Sequence, residues 1–230
     1  MMTPSTVHNQ PAQPELDLAL LSTVLLLSGL GLIMVYSASI AIAESKFGEN
    51  GTYYFLVRQA ISIVLGIGFG MAAFKVSLRQ WQTCSRFLLV IGIVLLFVVL
   101  IPGIGLEING SRRWLPLVIF NFQPSELMKL LILIFTADYA VRKTAYKDHL
   151  LKGFLPILLL LGAVSFFLLQ EPDLGAAIVI AAIVLSIMFL NGMSLKVFLG
   201  LICLIPIPFV LLIIFEPYRM DRINAILDPW

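Results

Sequence analysis

Charge is scarce in this chain. Only 12% of its 230 residues are Asp, Glu, Lys or Arg and 60% are hydrophobic, against about 25% and 45–50% in an ordinary soluble domain. No soluble core could hide that much apolar surface, so a water-soluble globule is excluded. Cysteine is nearly absent as well. Cys84 reads as part of a basic loop and Cys203 lies inside the last apolar run, so the two sit at different depths and give no disulfide framework. His8 falls in the amino-terminal tail and His149 in an inner loop, which leaves no His/Cys metal cluster. Gly29 and Gly31, and then Gly66, Gly68 and Gly70, follow no strand and form no phosphate cradle; they read as close helix-packing positions. No nucleophile elbow is present, and a net charge of +2 gives no pull toward nucleic acid.

What the chain does have is a series of long apolar runs. A bilayer span needs about 20 mostly apolar residues, and seven segments qualify or come close: Leu18 to Ala41, Phe55 to Phe74, Phe87 to Ile101, Pro124 to Val141, Phe154 to Leu169, Leu174 to Leu190 and Leu195 to Phe215. The expected fold is all-α, a polytopic transmembrane helical bundle of seven spans. Residues 1–17 form a polar, proline-bearing tail expected to be disordered. Residues 18–215 are the membrane domain, and 216–230 open an outer loop. With no basic region before the apolar run and no small-residue cleavage site after it before Tyr36, no cleavable signal is expected. The ending on Asp228, Pro229 and Trp230 gives neither a helix cap nor a polar tail and reads as a truncation. With the amino terminus cytoplasmic, the inner loops hold eight basic residues (Lys75, Arg79, Arg86, Arg142, Lys143, Lys147, Lys152, Lys196) and the outer loops six (Lys46, Arg58, Arg112, Arg113, Arg219, Arg222). The inside bias sets that orientation.

Four of the six outer basic residues come in two pairs, and basic residues kept outside against the insertion bias point to an anionic ligand there or to lipid phosphates. The segment Pro102 to Gln123 is too apolar for a solvated loop and too broken by Pro and Gly for a span, so an interfacial or re-entrant course is expected. Asn109-Gly110 supplies a turn. Arg112 and Arg113 offer planar forks suited to phosphate, and Trp114 an interfacial anchor. Pro124 then opens the fourth span, with Gln123, Ser125 and Glu126 at its positive dipole end. Lys129 follows Glu126 by three residues, on the same helical face. An ion pair there either lines a polar site or pins two helices together, because a charge left in hydrocarbon costs at least about 2.5–3.5 kcal/mol. Asp138 and Arg142, four apart at the inner end, read as an ordinary boundary pair. Glu171 and Asp173 share a tight outer turn; Asp173 either caps the sixth helix or faces the same cavity as the arginines. Arg219 and Arg222 fall on one face of a short helix along the outer surface.

Taken in order, Gly31 to Ser39, Asn109 to Leu115, Gln123 to Leu130, Glu171 to Gly175 and Glu216 to Trp230 resemble the motifs of the SEDS family of bacterial membrane glycosyltransferases, and the runs Val35 to Ser39 and Glu216 to Arg219 favour its division branch over its elongation branch. The resemblance implies a peptidoglycan glycosyltransferase that polymerises lipid II into glycan strands in the bacterial inner membrane at the division septum, releasing undecaprenyl diphosphate. It also implies a class B penicillin-binding protein as transpeptidase partner, with other divisome proteins. No cofactor is implied, though a divalent cation is compatible. Arg112, Arg113, Gln123, Ser125, Glu126, Lys129, Glu171, Asp173, Arg219 and Arg222 become the candidate substrate-binding residues. The family's ten spans are cut to seven here, and its acidic base lies in the large outer loop a few residues beyond Trp230. Asp228 stands in an earlier Asp-Pro and is not that residue, so the chain alone is expected to be inactive. A lipid II flippase and a noncatalytic divisome scaffold remain the alternative readings.

Overall fold

A computed structural model describes residues 17–48, 53–108, 110–117, 120–143, 153–205 and 207. They form seven helices and a small sheet: α1 (Leu18–Phe47), α2 (Tyr54–Phe74), α3 (Leu78–Leu100), β1 (Leu106–Ile108), β2 (Ser111–Pro116), β3 (Asn121–Phe122), α4 (Pro124–Arg142), α5 (Leu155–Gln170), α6 (Leu174–Leu190) and α7 (Leu195–Leu204). The helical membrane architecture expected from composition is present. Among the described residues α1, α2 and α3 are long and apolar enough to cross a bilayer, while α5, α6 and α7 are shorter apolar helices.

The chain divides into two compact units, residues 1–75 and 76–230. In the first, Asp17 starts α1 by accepting hydrogen bonds from the amides of Ala19 and Leu20 at 2.9 and 3.1 Å, which satisfies two donors that the helix start would otherwise leave unpaired. Tyr36 of α1 stacks on Tyr53 before α2, with ring centroids 5.9 Å apart.

In the second unit α4 packs against α3 on one side and α6 on the other. Their contact surfaces supply most of the fully buried side chains, among them Leu96, Met128, Ile132, Ile180 and Val184, joined by Ile157, Val164 and Leu168 of α5. Ala176, Ala177 and Ala181 are buried on α6, small side chains that let helix backbones approach where lipid offers no hydrophobic drive to association. Polar contacts stitch the inner ends together. Asp138 accepts from Ser85 of α3 at 2.7 Å and from Arg142 at 2.9 Å. Tyr139 donates to the carbonyl of Gly153 at 3.0 Å, and Asn191 to that of Ala140 at 3.1 Å. The boundary pair read from the sequence is therefore also an α3–α4 tie.

Two expectations are corrected, and a third gains its local structure. α3 begins nine residues before Phe87, because Ser77 and Gln80 form a reciprocal capping box that starts the helix inside the polar stretch; Cys84 is consequently a helical residue. The segment after α3, expected to run at the interface or re-enter, forms an antiparallel sheet in the order β1-β2-β3, with Ile108 opposite Ser111 and Leu115 opposite Phe122. Gly110 turns between β1 and β2 with φ +72°, as expected of an Asn-Gly hairpin. Finally, a Cβ added at Gly29, Gly31, Gly66, Gly68 or Gly70 would meet nothing within 4 Å. The glycines with close neighbours are Gly92, whose added Cβ would lie 2.6 Å from Met128 Sδ and 3.0 Å from Leu131 Cδ1, and Gly105, where it would lie 1.9 Å from the carbonyl oxygen of Val99.

Gly92→Val should force α3 and α4 apart and cost about 1–3 kcal/mol, the usual penalty for overpacking. Thermal unfolding in detergent reads this as a lowered midpoint, whereas Gly162→Val, where an added Cβ meets nothing within 4 Å, should leave the midpoint in place. Equal midpoints for the two variants would refute the close α3–α4 contact.

Candidate functional site

The sheet rests on the α5–α6 turn because a strand alternates its side chains. Ser111, Arg113 and Leu115 fall on one face of β2, and Arg112 and Trp114 on the other. From the first face, Ser111 Oγ donates to the carbonyl of Glu171 at 2.7 Å and Arg113 Nε donates to the same oxygen at 3.0 Å. Arg113 Nη2 donates to the carbonyl of Pro172, and its Nη1 lies 3.8 Å from Asp173 Oδ1. Arg112, on the other face, pairs with Glu107 of β1 at 3.0 Å, exposed. The two neighbouring arginines therefore have separate tasks.

Asp173 is the centre of the cluster. Its Oδ1 accepts from the amide of Ala176 at 3.2 Å and caps α6; its Oδ2 accepts from Ser125 Oγ at 2.8 Å and Gln123 Nε2 at 3.1 Å. Gln123 also donates to Ser125 at 2.9 Å. Asp173 is thus a helix cap that also binds β2 and the start of α4. Glu171 is 0% exposed, and neither of its carboxylate oxygens has a hydrogen-bond partner. Burial first, and the adjacent Asp173 charge second, push its carboxyl up to about 8 against the opposing pull of Arg113. At neutral pH it is mostly the uncharged acid, so the cluster balances one guanidinium against one carboxylate.

Beside this cluster, Lys129 in the second turn of α4 bonds through Nζ to Oε2 of Glu126 in the first, at 2.7 Å. The carboxylates differ in access: the Glu126 side chain is 59% exposed, while Asp173 and Glu171 are buried; Lys129 is partly exposed, at 25%. Of the ten candidate residues, Arg113, Gln123, Ser125, Glu171 and Asp173 form one network, Glu126 and Lys129 a second, and Arg112 stands with Glu107. Arg219 and Arg222 lie outside the described residues. Ser111 was missed by sequence reasoning; its place two residues before Arg113 in an alternating strand is the signal that could have found it. Among the described residues no group of three or more His, Cys, Asp or Glu is placed to hold a metal.

A family model described as "Cell cycle protein", FTSW_RODA_SPOVE, matches residues 18–230. The probable peptidoglycan glycosyltransferase FtsW of Nitrosomonas europaea is 72% identical over 232 residues, covering 100% of this chain and 60% of that protein. Its counterpart from Aromatoleum aromaticum is 49% identical over 217 residues, covering 94% and 53%. Among solved structures, a chain described under "Structural coordination of polymerization and crosslinking by a peptidoglycan synthase complex" superposes with TM-score 0.61 at 29% identity, over 87% of this chain and 59% of that one. The rod shape determining protein RodA of Thermus thermophilus gives TM-score 0.54 at 29% identity, over 77% and 58%. The chain thus spans a little over half the length of the relatives it matches.

Asp173→Ala removes a helix cap and strands the hydrogen-bond donors of Ser125 and Gln123, so a loss of about 1–3 kcal/mol is expected. Asp173→Asn keeps the acceptor and should recover most of the thermal midpoint; a parent-like Asp173→Ala would show that the cluster does not hold the fold. The pH dependence has a definite sign. Because the folded carboxyl of Glu171 is raised from 4.5 to about 8, the folded state binds more protons than the unfolded one across that window, and stability falls as pH rises through it. Thermal unfolding followed across the window should show this decline in the parent and a flatter profile in Glu171→Gln.

Proposed function

The chain belongs to the FTSW_RODA_SPOVE family of cell cycle proteins, and from that membership we propose that the protein is a peptidoglycan glycosyltransferase of the bacterial inner membrane, joining lipid II units into glycan strands at the division septum. The observation that carries the reading to particular residues is the pair of exposed Glu126 and partly exposed Lys129, 2.7 Å apart, mounted on a helix start that the buried Asp173 cluster holds fixed. Lipid II presents a diphosphate at the membrane surface between a polyprenyl tail and its sugars. An ammonium one turn into α4, with the positive end of that helix beside it, suits such a group.

In the reaction an acceptor hydroxyl oxygen attacks the donor's anomeric carbon, the bond from that carbon to the diphosphate oxygen breaks with inversion, and undecaprenyl diphosphate leaves. Lys129 stabilises the charge that grows on the departing diphosphate, and Glu126 holds the ammonium in place. A general base must take the hydroxyl proton. Asp173 is buried with its oxygens already engaged and Glu171 is fully buried, so we assign the base to neither. Arg113 spends its donors on the α5–α6 turn, which makes it a support for the site, while Arg112 pairs with Glu107 on the other face of β2. Likeness to a chain described with a peptidoglycan synthase complex supports a class B penicillin-binding protein as partner.

The test uses a protein of its relatives' full length carrying this sequence, incubated with purified lipid II, with glycan polymer read on a gel. Lys129→Ala should insert normally and lose roughly 10²-fold or more in turnover, the usual effect of removing a group that stabilises developing charge. Near-normal turnover would remove Lys129 from the site. Lipid movement across the bilayer without any polymer would favour the transporter reading instead.

A further inference from the structure

Glu171 is the buried group that the proposed reaction does not use. It has no exposure and two unpartnered carboxylate oxygens, yet its own carbonyl is the anchor on which β2 is fastened, by Ser111 Oγ at 2.7 Å and Arg113 Nε at 3.0 Å. The charged groups acting on it are Asp173 from its own turn and Arg113 from β2. The first turn of α4 presents the uncharged Gln123 and Ser125 to this cluster, while its Glu126 and Lys129 bond each other. The last turns of α3 and α5 carry no charged residue. Among the described residues Arg113 is therefore the cation placed to neutralise an ionised Glu171, and its guanidinium is already the clasp between β2, the carbonyls of Glu171 and Pro172, and Asp173.

We propose that Glu171 is a proton-operated latch, closed when its carboxyl is neutral and β2 lies fastened on the α5–α6 turn, and opened when the proton leaves. An unpaired carboxylate sealed from water is strongly disfavoured. Ionisation leaves two remedies: Arg113 turns to the new charge and releases the carbonyls, or β2 lifts and admits water. Either one unfastens β2, and because Asp173 joins Arg113 to Ser125 and Gln123, the release reaches the start of α4 and the Glu126–Lys129 pair. The latch depends on the buried contacts and not on what the outer site binds.

Hydrogen exchange of the β2 amides in the parent protein, corrected for the base-catalysed intrinsic rate, reads the latch directly. Opening linked to one proton rises about tenfold per pH unit between the two carboxyl values and levels above the folded one, here 4.5 and about 8. Glu171→Gln should remove that rise. The infrared carbonyl stretch of a protonated carboxylic acid, present in the parent at neutral pH and lost as the pH passes about 8, is an independent check on the parent itself and does not require the variant to fold. A β2 exchange profile that is flat after correction, or persists unchanged in Glu171→Gln, would overturn the proposal. So would an infrared spectrum showing no protonated acid at neutral pH.

Discussion

One carboxylate ties three parts of this molecule together. Asp173 receives the amide of Ala176, the hydroxyl of Ser125 and the side-chain amide of Gln123, and lies 3.8 Å from Arg113. It thereby fixes the start of α6, the start of α4 and the strand β2 at one point. A buried charge is tolerable only when it is paired and hydrogen-bonded, and Asp173 meets that condition by drawing its donors from segments distant along the chain. Ser111 and Arg113 reach the same turn from as many as 60 residues away. Each donor is available only if its own segment is in place, so the tie forms as a unit.

The apolar middle of the bundle needs such ties. Between lipid-facing helices there is no hydrophobic drive to associate, and packing and interhelical polar contacts must do what water exclusion does elsewhere. α4 is fastened at both ends: to Asp173 through Ser125 at its start, and to Ser85 through Asp138 near its end. Between those points its buried face, with Met128, Leu131 and Ile132, meets α3 and α6. The small residues Gly92 on α3 and Ala177 and Ala181 on α6 permit close approach there.

How much of this could be read from the sequence follows from which periodicities are unambiguous. Apolar length alone locates α6 to the residue and α2, α4 and α5 to within one, because a bilayer demands it. It fails at α3, where the capping box sits in polar sequence that also suits a loop. It fails again for the glycines, since composition shows that a helix could pack closely without showing which side has a neighbour. Arg112 and Arg113 look like a paired fork in one dimension, yet a strand sends adjacent side chains to opposite faces, and recognising the strand required the Asn-Gly turn to be read as a hairpin. The convergence of Glu171, Asp173, Gln123 and Ser125 is a tertiary fact. Each was visible as a polar residue at a helix end, but their meeting depends on the α5–α6 turn lying against the start of α4.

That meeting also explains why the accessible charge is where it is. Under the proposed function, a group that holds an anionic lipid head in register needs a rigid mount, and precision is better supplied by a helix than by a loop. Glu126 stands on the first turn of α4, immediately after Ser125, whose side chain is wholly buried against Asp173, and Lys129 follows one turn on. The inward-facing members of that turn are thus committed to the protein, which leaves the outward-facing pair free to meet a ligand without loosening the helix beneath it. Arg113 contributes from the other side. By spending its guanidinium on the α5–α6 turn it holds the sheet down, and the cation near the start of α4 is Lys129, partly exposed beside Glu126.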